Sequence, residues 1–74
     1  MRELIRTNDA VVLELARSLL EEAGIMAVVM DAHMSVLEGS IGMFPRRLMV
    51  VADEHAEARS IIEAAELGEW LYRP

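Results

Sequence analysis

Residues 24–30 read Gly-Ile-Met-Ala-Val-Val-Met, a glycine followed by six apolar residues without a break. The glycine stands where a helix needs a left-handed stop. The six residues after it are too few for a second helix, and Val28-Val29 favours extended backbone. They are read as a strand that follows a helix directly. Upstream, Val12, Leu15, Ala16, Leu19, Leu20 and Ala23 recur at three-and-four spacing, the stripe of an amphipathic helix. Glu14, Arg17, Ser18, Glu21 and Glu22 take its other side. Asn8-Asp9 offers the N-cap and Ala10 the first turn. Before that, Arg2-Glu-Leu-Ile-Arg-Thr7 carries a short strand signal centred on Leu4 and Ile5.

Downstream, Arg46-Arg-Leu-Met-Val-Val51 is a third strand. Asp53 is expected to cap a second helix from Glu54 to about Leu67, with Ala58, Ile61, Ile62 and Ala65 as its buried stripe and Gly68 as its stop. Glu69-Trp-Leu-Tyr-Arg-Pro74 is left as a tail able to add a short fourth strand. The order β-α-β-β-α predicts an α+β, ferredoxin-like split β-α-β fold: an antiparallel sheet with two helices on one face. A right-handed crossover places the third strand between the first two. The expected organisation is a single domain over 1–67 with a C-terminal tail over 68–74.

The strands also say something about the far side of the sheet. A two-layer fold leaves one sheet face to water, and its strands then alternate apolar with polar. Here Met26, Val28 and Met30 would share one side with Ala27 and Val29 opposite, and Leu48 and Val50 oppose Met49 and Val51. Both faces are apolar, so a covering element is expected: the segment after residue 30, the tail, or a second copy of the chain. Homo-oligomerisation is the expectation, since a small chain has a marginal core. Met26, Met30 and Met49 are read as core, Met34 and Met43 as contact residues, and Trp70 and Tyr72 as anchors that cover the sheet or as interface residues.

Composition narrows the chemistry. The chain has 74 residues, 54% hydrophobic and 27% charged, with a net charge of −6 and no cysteine. Disulfides and thiol chemistry are excluded, and nucleic-acid binding, which needs a basic face, is not expected. All seven basic residues are arginines, which closes routes through a lysine Schiff base or a phosphate-loop lysine. The absence of a long apolar run and of an apolar signal stretch predicts a cytoplasmic location without a membrane partner. No cofactor is expected.

Asp31 to Pro45 holds two glycines, two serines and a proline in fifteen residues and reads as a long loop. Connections usually run about 4–6 residues, and longer ones are commonly functional. Three chemistries are weighed for it. Asp31 and His33, spaced to share a strand face, suit a metal, with Glu38 or His55 as further ligands. Ser35 with His33 as base and Glu38 as orienter would be a hydrolytic set, although no nucleophile-elbow motif is present. Gly39-Ser-Ile-Gly42 would offer backbone N–H groups to a small anion, with Arg46 and Arg47 supplying charge. Strand alternation points those two arginines to opposite faces, so one at most serves that site.

Arg6-Thr-Asn-Asp9, His33-Met-Ser-Val-Leu-Glu-Gly-Ser-Ile-Gly42 and Pro45-Arg-Arg-Leu-Met-Val50 together resemble a small bacterial family of signal-transducing proteins of unknown function, grouped with the nitrogen-regulatory PII-like fold. The resemblance runs to about Leu67. It implies the same ferredoxin-like fold and a non-enzymatic regulatory module, and maps the family's loop positions onto His33, Ser35, Glu38, Gly39, Ser40 and Gly42, with Arg46 and Arg47 following. Ala10 stands where members often have proline, and either residue suits a first helical turn. True PII proteins bind ATP and 2-oxoglutarate with a glycine-lysine phosphate loop, which this lysine-free chain lacks. The expected function is recognition of a small ligand or a protein partner through residues 31–47. The alternatives are a metal-dependent or hydrolytic enzyme using Asp31, His33, Ser35 and Glu38, and a structural assembly subunit.

Overall fold

A computed structural model describes residues 1–30 and 46–73. Strand β1 (Arg2–Thr7) leads into helix α1 (Ala10–Glu22), then β2 (Ala27–Met30), β3 (Arg46–Val50) and helix α2 (His55–Ala64). The sheet has the order β1-β3-β2, with β3 antiparallel to both neighbours. The third strand is thus inserted between the first two, as the split β-α-β reading expects. Segment 31–45 joins the two strands of one antiparallel hairpin, β2 and β3.

The register sorts the two faces. On the helix side Val50 sits between Arg2 and Ala27, and Leu48 between Ile5 and Val29. On the other side Met49 lies between Glu3 and Val28, and Arg47 between Arg6 and Met30. Alternation would bury either Leu4 or Ile5, yet both are buried. A bulge between Glu3 and Ile5 makes this possible: the extra residue, Leu4, breaks the two-residue period.

Helix α1 starts where expected. The Asp9 carboxylate accepts from the Val11 and Val12 N–H groups at 2.9 and 3.2 Å. Its buried stripe is Val12, Leu13, Ala16 and Leu20. At 100° per residue these span an arc of about 100°. That arc is turned toward Leu13 relative to the expected stripe, so Leu15 and Ala23 are exposed. Gly24, at φ 81°, ends the helix: its N–H donates to Glu21 and that of Ile25 to Leu20.

Helix α2 departs from expectation at both ends. Ala52–Glu54 forms a 3₁₀ turn, the helix begins at His55, and no side-chain cap, from Asp53 or any other residue, is made there. The helix stops at Ala64 rather than near Leu67, and Glu66 at φ 64° takes the left-handed position expected of Gly68. The Glu66 and Leu67 N–H groups donate to Glu63 and Ile62, both at 3.0 Å. Its buried residues are His55, Ala58 and Ile62, with Ile61 half-buried and Ala65 exposed.

The core gathers Leu4, Ile5, Leu13, Ala16, Leu20, Ile25, Leu48, Val50, Ala58, Ile62 and Leu71, with Ala27 and Val29 of β2 packed partly buried against it. Each large side chain buried here contributes about 1.5–3 kcal/mol. The tail reaches it through a second 3₁₀ turn, Gly68–Trp70. Leu71 then makes a single antiparallel bridge to Ile5, and the Tyr72 N–H donates to the Leu4 carbonyl at 2.8 Å. The tail therefore adds one bridge, not a strand, to the outer edge of β1. Met26 and Met30 are 68% and 43% exposed and Met49 is half-buried, so the strand methionines are not core. No helix among the described residues is long and apolar enough to cross a membrane.

Candidate functional site

Of the residues singled out in the sequence, Asp31, His33, Ser35, Glu38, Gly39, Ser40 and Gly42 lie outside the described residues. Arg46 and Arg47 open β3, and the register separates them. Arg46 pairs with Thr7 in the row parity of Leu48 and Val50, and Arg47 lies between Arg6 and Met30 on the opposite face. Met30 and Arg47, one from each end of segment 31–45, are direct neighbours across the hairpin. The Arg47 face continues into Met49 and the exposed Val28 and Met30. Its far corner is polar: both oxygens of the Glu3 carboxylate accept from the Arg6 guanidinium, the Nη2 bond being 2.9 Å. The Arg6 guanidinium carbon also lies 4.2 Å from the centre of the Tyr72 ring. The Glu3 hydrogen bond pushes the Arg6 pKa up, against a smaller opposing effect of burial.

His55, weighed in the sequence as a metal ligand, is 8% exposed at the start of α2. Its Nε2 lies 3.2 Å from the Glu3 carbonyl oxygen. A carbonyl oxygen only accepts, so the proton sits on Nε2. The bulge thus has its two carbonyls satisfied from outside β3, Glu3 by His55 and Leu4 by the tail. Among the described residues no group of three or more His, Asp or Glu is placed to hold a metal ion.

A cleft of about 180 Å³ opens beside this histidine, lined by Arg2, Glu3, His55, Arg59 and Tyr72. Sequence reading had not brought these residues together. His55 and Arg59, four apart on one helix, share a face, and that much was visible. Arg2 and Tyr72 join them only because the bulge and the tail bridge fold β1 and the C-terminus onto α2. A larger concavity of about 330 Å³ lies at the α1–β2 turn, between Arg17, Glu21 and Gly24–Ala27.

A small α+β sandwich of split β-α-β order, with a three-stranded antiparallel sheet, defines a ferredoxin-like architecture rather than any one activity. The chain belongs to the DUF2007 family, described as "putative prokaryotic signal transducing protein", whose model matches residues 1–66. No curated protein sequence matches it.

Proposed function

We propose that the chain is a regulatory binding module without catalytic chemistry of its own. It recognises a small ligand or a protein partner through residues 31–47, with His33, Ser35, Glu38, Gly39, Ser40, Gly42 and one of Arg46 and Arg47 as contacts. One observation carries the reading. The hairpin sets Met30 and Arg47 side by side at the two ends of segment 31–45, on the face that exposes Val28 and Met30. The residues that flank the segment thus belong to a face with exposed apolar side chains, suited to a second protein surface. Engagement of the segment is the input and an altered contact on the sheet face the output.

The same face is where copies of the chain associate, as a homo-oligomer in the cytoplasm. The family's description as signal transducing supports the regulatory reading. The fold order supports the PII-like grouping, and the missing lysine means that nucleotide sensing does not come with it.

The test is a ¹⁵N-HSQC titration with ATP, ADP, 2-oxoglutarate and divalent metals, run beside light scattering at several protein concentrations. Shifts concentrated in residues 33–47 identify a small-molecule sensor and its ligand class. A monomer at every concentration, with no shift in 33–47 and no cellular phenotype from joint substitution of His33, Glu38 and Arg47, overturns the proposal.

A further inference from the structure

A second site lies on the opposite edge of the fold. We propose that the cleft between Arg2, His55, Arg59 and Tyr72 binds a phosphate-sized oxyanion, either inorganic phosphate or the terminal phosphate of a larger molecule. Three stretches far apart in the chain build it: the start of β1, the first turns of α2 and the tail. The bulge carbonyls lock these stretches together, through the His55 bond to Glu3 and the Tyr72 bond to Leu4.

The charge of the cleft runs against that of the chain. The net charge is −6, yet the lining carries two arginines and one carboxylate. That carboxylate, Glu3, has both oxygens occupied by Arg6. Among the described residues Arg2 makes no ion pair, and Arg59 has only Glu63, at 3.7 Å along the helix surface. That separation is beyond hydrogen-bond length, so the guanidinium fork of Arg59 remains available. Two forks presented to one concavity match the geometry of phosphate oxygens.

His55 adds an independent observation. It is more than nine-tenths buried, its Nε2 proton is used on Glu3, and Nδ1 has no hydrogen-bond partner among the described residues. A polar atom without a partner, on a buried side chain that lines the cleft, calls for an explanation, and a hydrogen-bearing phosphate oxygen supplies one. Tyr72, whose ring is held by Arg6, lines the cleft from the tail side.

The experiment is an HSQC titration of the full chain with inorganic phosphate, with phenyl phosphate and with chloride at matched ionic strength. Saturable shifts are expected at Arg2, His55, Arg59 and Tyr72 with both phosphates and not with chloride. Loss of one fork, in Arg2→Gln or Arg59→Gln, should weaken binding about tenfold while spectral dispersion shows the fold intact. Arg59→Lys, which keeps charge without the fork, should fall between. Tighter binding of phenyl phosphate assigns the site to a phosphate carried on a larger molecule, and equal binding assigns it to the free ion. Shifts that match chloride, that never saturate, that survive the double arginine substitution, or that fall only in residues 33–47 overturn the inference. The last of these would leave the proposed function standing.

Discussion

The two helices lie on the same sheet face and share the last two hydrogen bonds of their stops, yet their ends are made of different material. Helix α1 is held by Asp9 at its start and by Gly24 at its stop. Helix α2 begins from a 3₁₀ turn without a side-chain cap and stops on Glu66, a residue with a Cβ in the left-handed region. Both stops place a buried side chain three positions before the cap, Leu20 in α1 and Ile62 in α2, and follow it with an apolar partner, Ile25 or Leu67. The geometry of a helix end thus survives the loss of its preferred residues when packing enforces it. The helix that departs from the local rules is also the one that carries the buried histidine and lines the basic cleft. Departures of this kind concentrate at functional surfaces.

The largest test of that comparison is to remove the packing common to both ends. Leu20 and Ile62 are each fully buried. Leu20→Ala and Ile62→Ala should each cost about 2–5 kcal/mol, a large share of a small domain's stability. Urea unfolding monitored by far-UV circular dichroism measures both. Similar losses mean that the two helices dock equally firmly. A loss for Ile62→Ala less than half that for Leu20→Ala would show that packing does not enforce the α2 stop, and the comparison would break.

At the left-handed positions the two helices should respond with opposite sign. A Cβ added at Gly24 meets no atom within 4 Å, so Gly24→Ala is a purely conformational loss, about 1 kcal/mol. Glu66→Gly should instead gain about 0.5–1 kcal/mol, the relief of the left-handed Cβ less the added backbone entropy of the unfolded glycine. A destabilised Glu66→Gly would mean that the glutamate side chain makes a contact that outweighs its strain. The N-termini sharpen the contrast. Asp9→Ala should cost about 1 kcal/mol, while Asp53→Ala, which removes no cap bond, should stay within about 0.5 kcal/mol of the parent. Equal losses at the two aspartates would erase the distinction drawn between the helix starts.

The same contrast explains what could be read from the sequence. Asp9 and Gly24 were legible because each residue type sits where its own chemistry is needed. Asp53 and Gly68 misled because those same types stood one or two residues from positions that tertiary packing assigned to others. The buried stripe of α1 was placed on the correct side but missed Leu13. Six apolar residues at three-and-four spacing allow more than one centre for the arc, and the position of the sheet decides. The strand order followed from the element order, and the opposite facing of Arg46 and Arg47 from strand alternation. The bulge was not visible. Adjacent Leu4 and Ile5 only hint at it, and it decides where Arg2 and Glu3 stand. The cleft was half legible for the same reason: His55 and Arg59 announce a helix face, whereas Arg2 and Tyr72 arrive through β1 pairing and a one-residue bridge.

The smallest effect lies on the solvent face of α1, where Glu14 and Arg17 are hydrogen-bonded three residues apart and Arg17 also lies 3.6 Å from Glu21. The Arg17 hydrogen bond holds the Glu14 carboxyl below the ordinary glutamate value, and Glu14 in turn pushes Arg17 up. A carboxyl depressed in the folded state binds fewer protons there than in the unfolded chain, so the stability it adds is present above its unfolded pKa. That stability is lost as pH falls through the folded value, so the window lies on the acid side of the ordinary glutamate range. Both groups are solvent-exposed, so the contribution should be small and should shrink further in about 1 M salt, where the Debye length is about 3 Å. In an NMR titration Glu14 should show a depressed midpoint that returns to the ordinary range in Arg17→Gln. A midpoint that Arg17→Gln leaves unmoved would assign the depression to something other than the ion pair. In α2 the Arg59–Glu63 pair is longer, at 3.7 Å, and Arg59 faces the cleft as well as its own helix. Phosphate binding should therefore draw Arg59 from Glu63 and leave the Glu14 midpoint where it was, so that the two helices separate once more, in which arginine is committed to its own surface and which is held for a ligand.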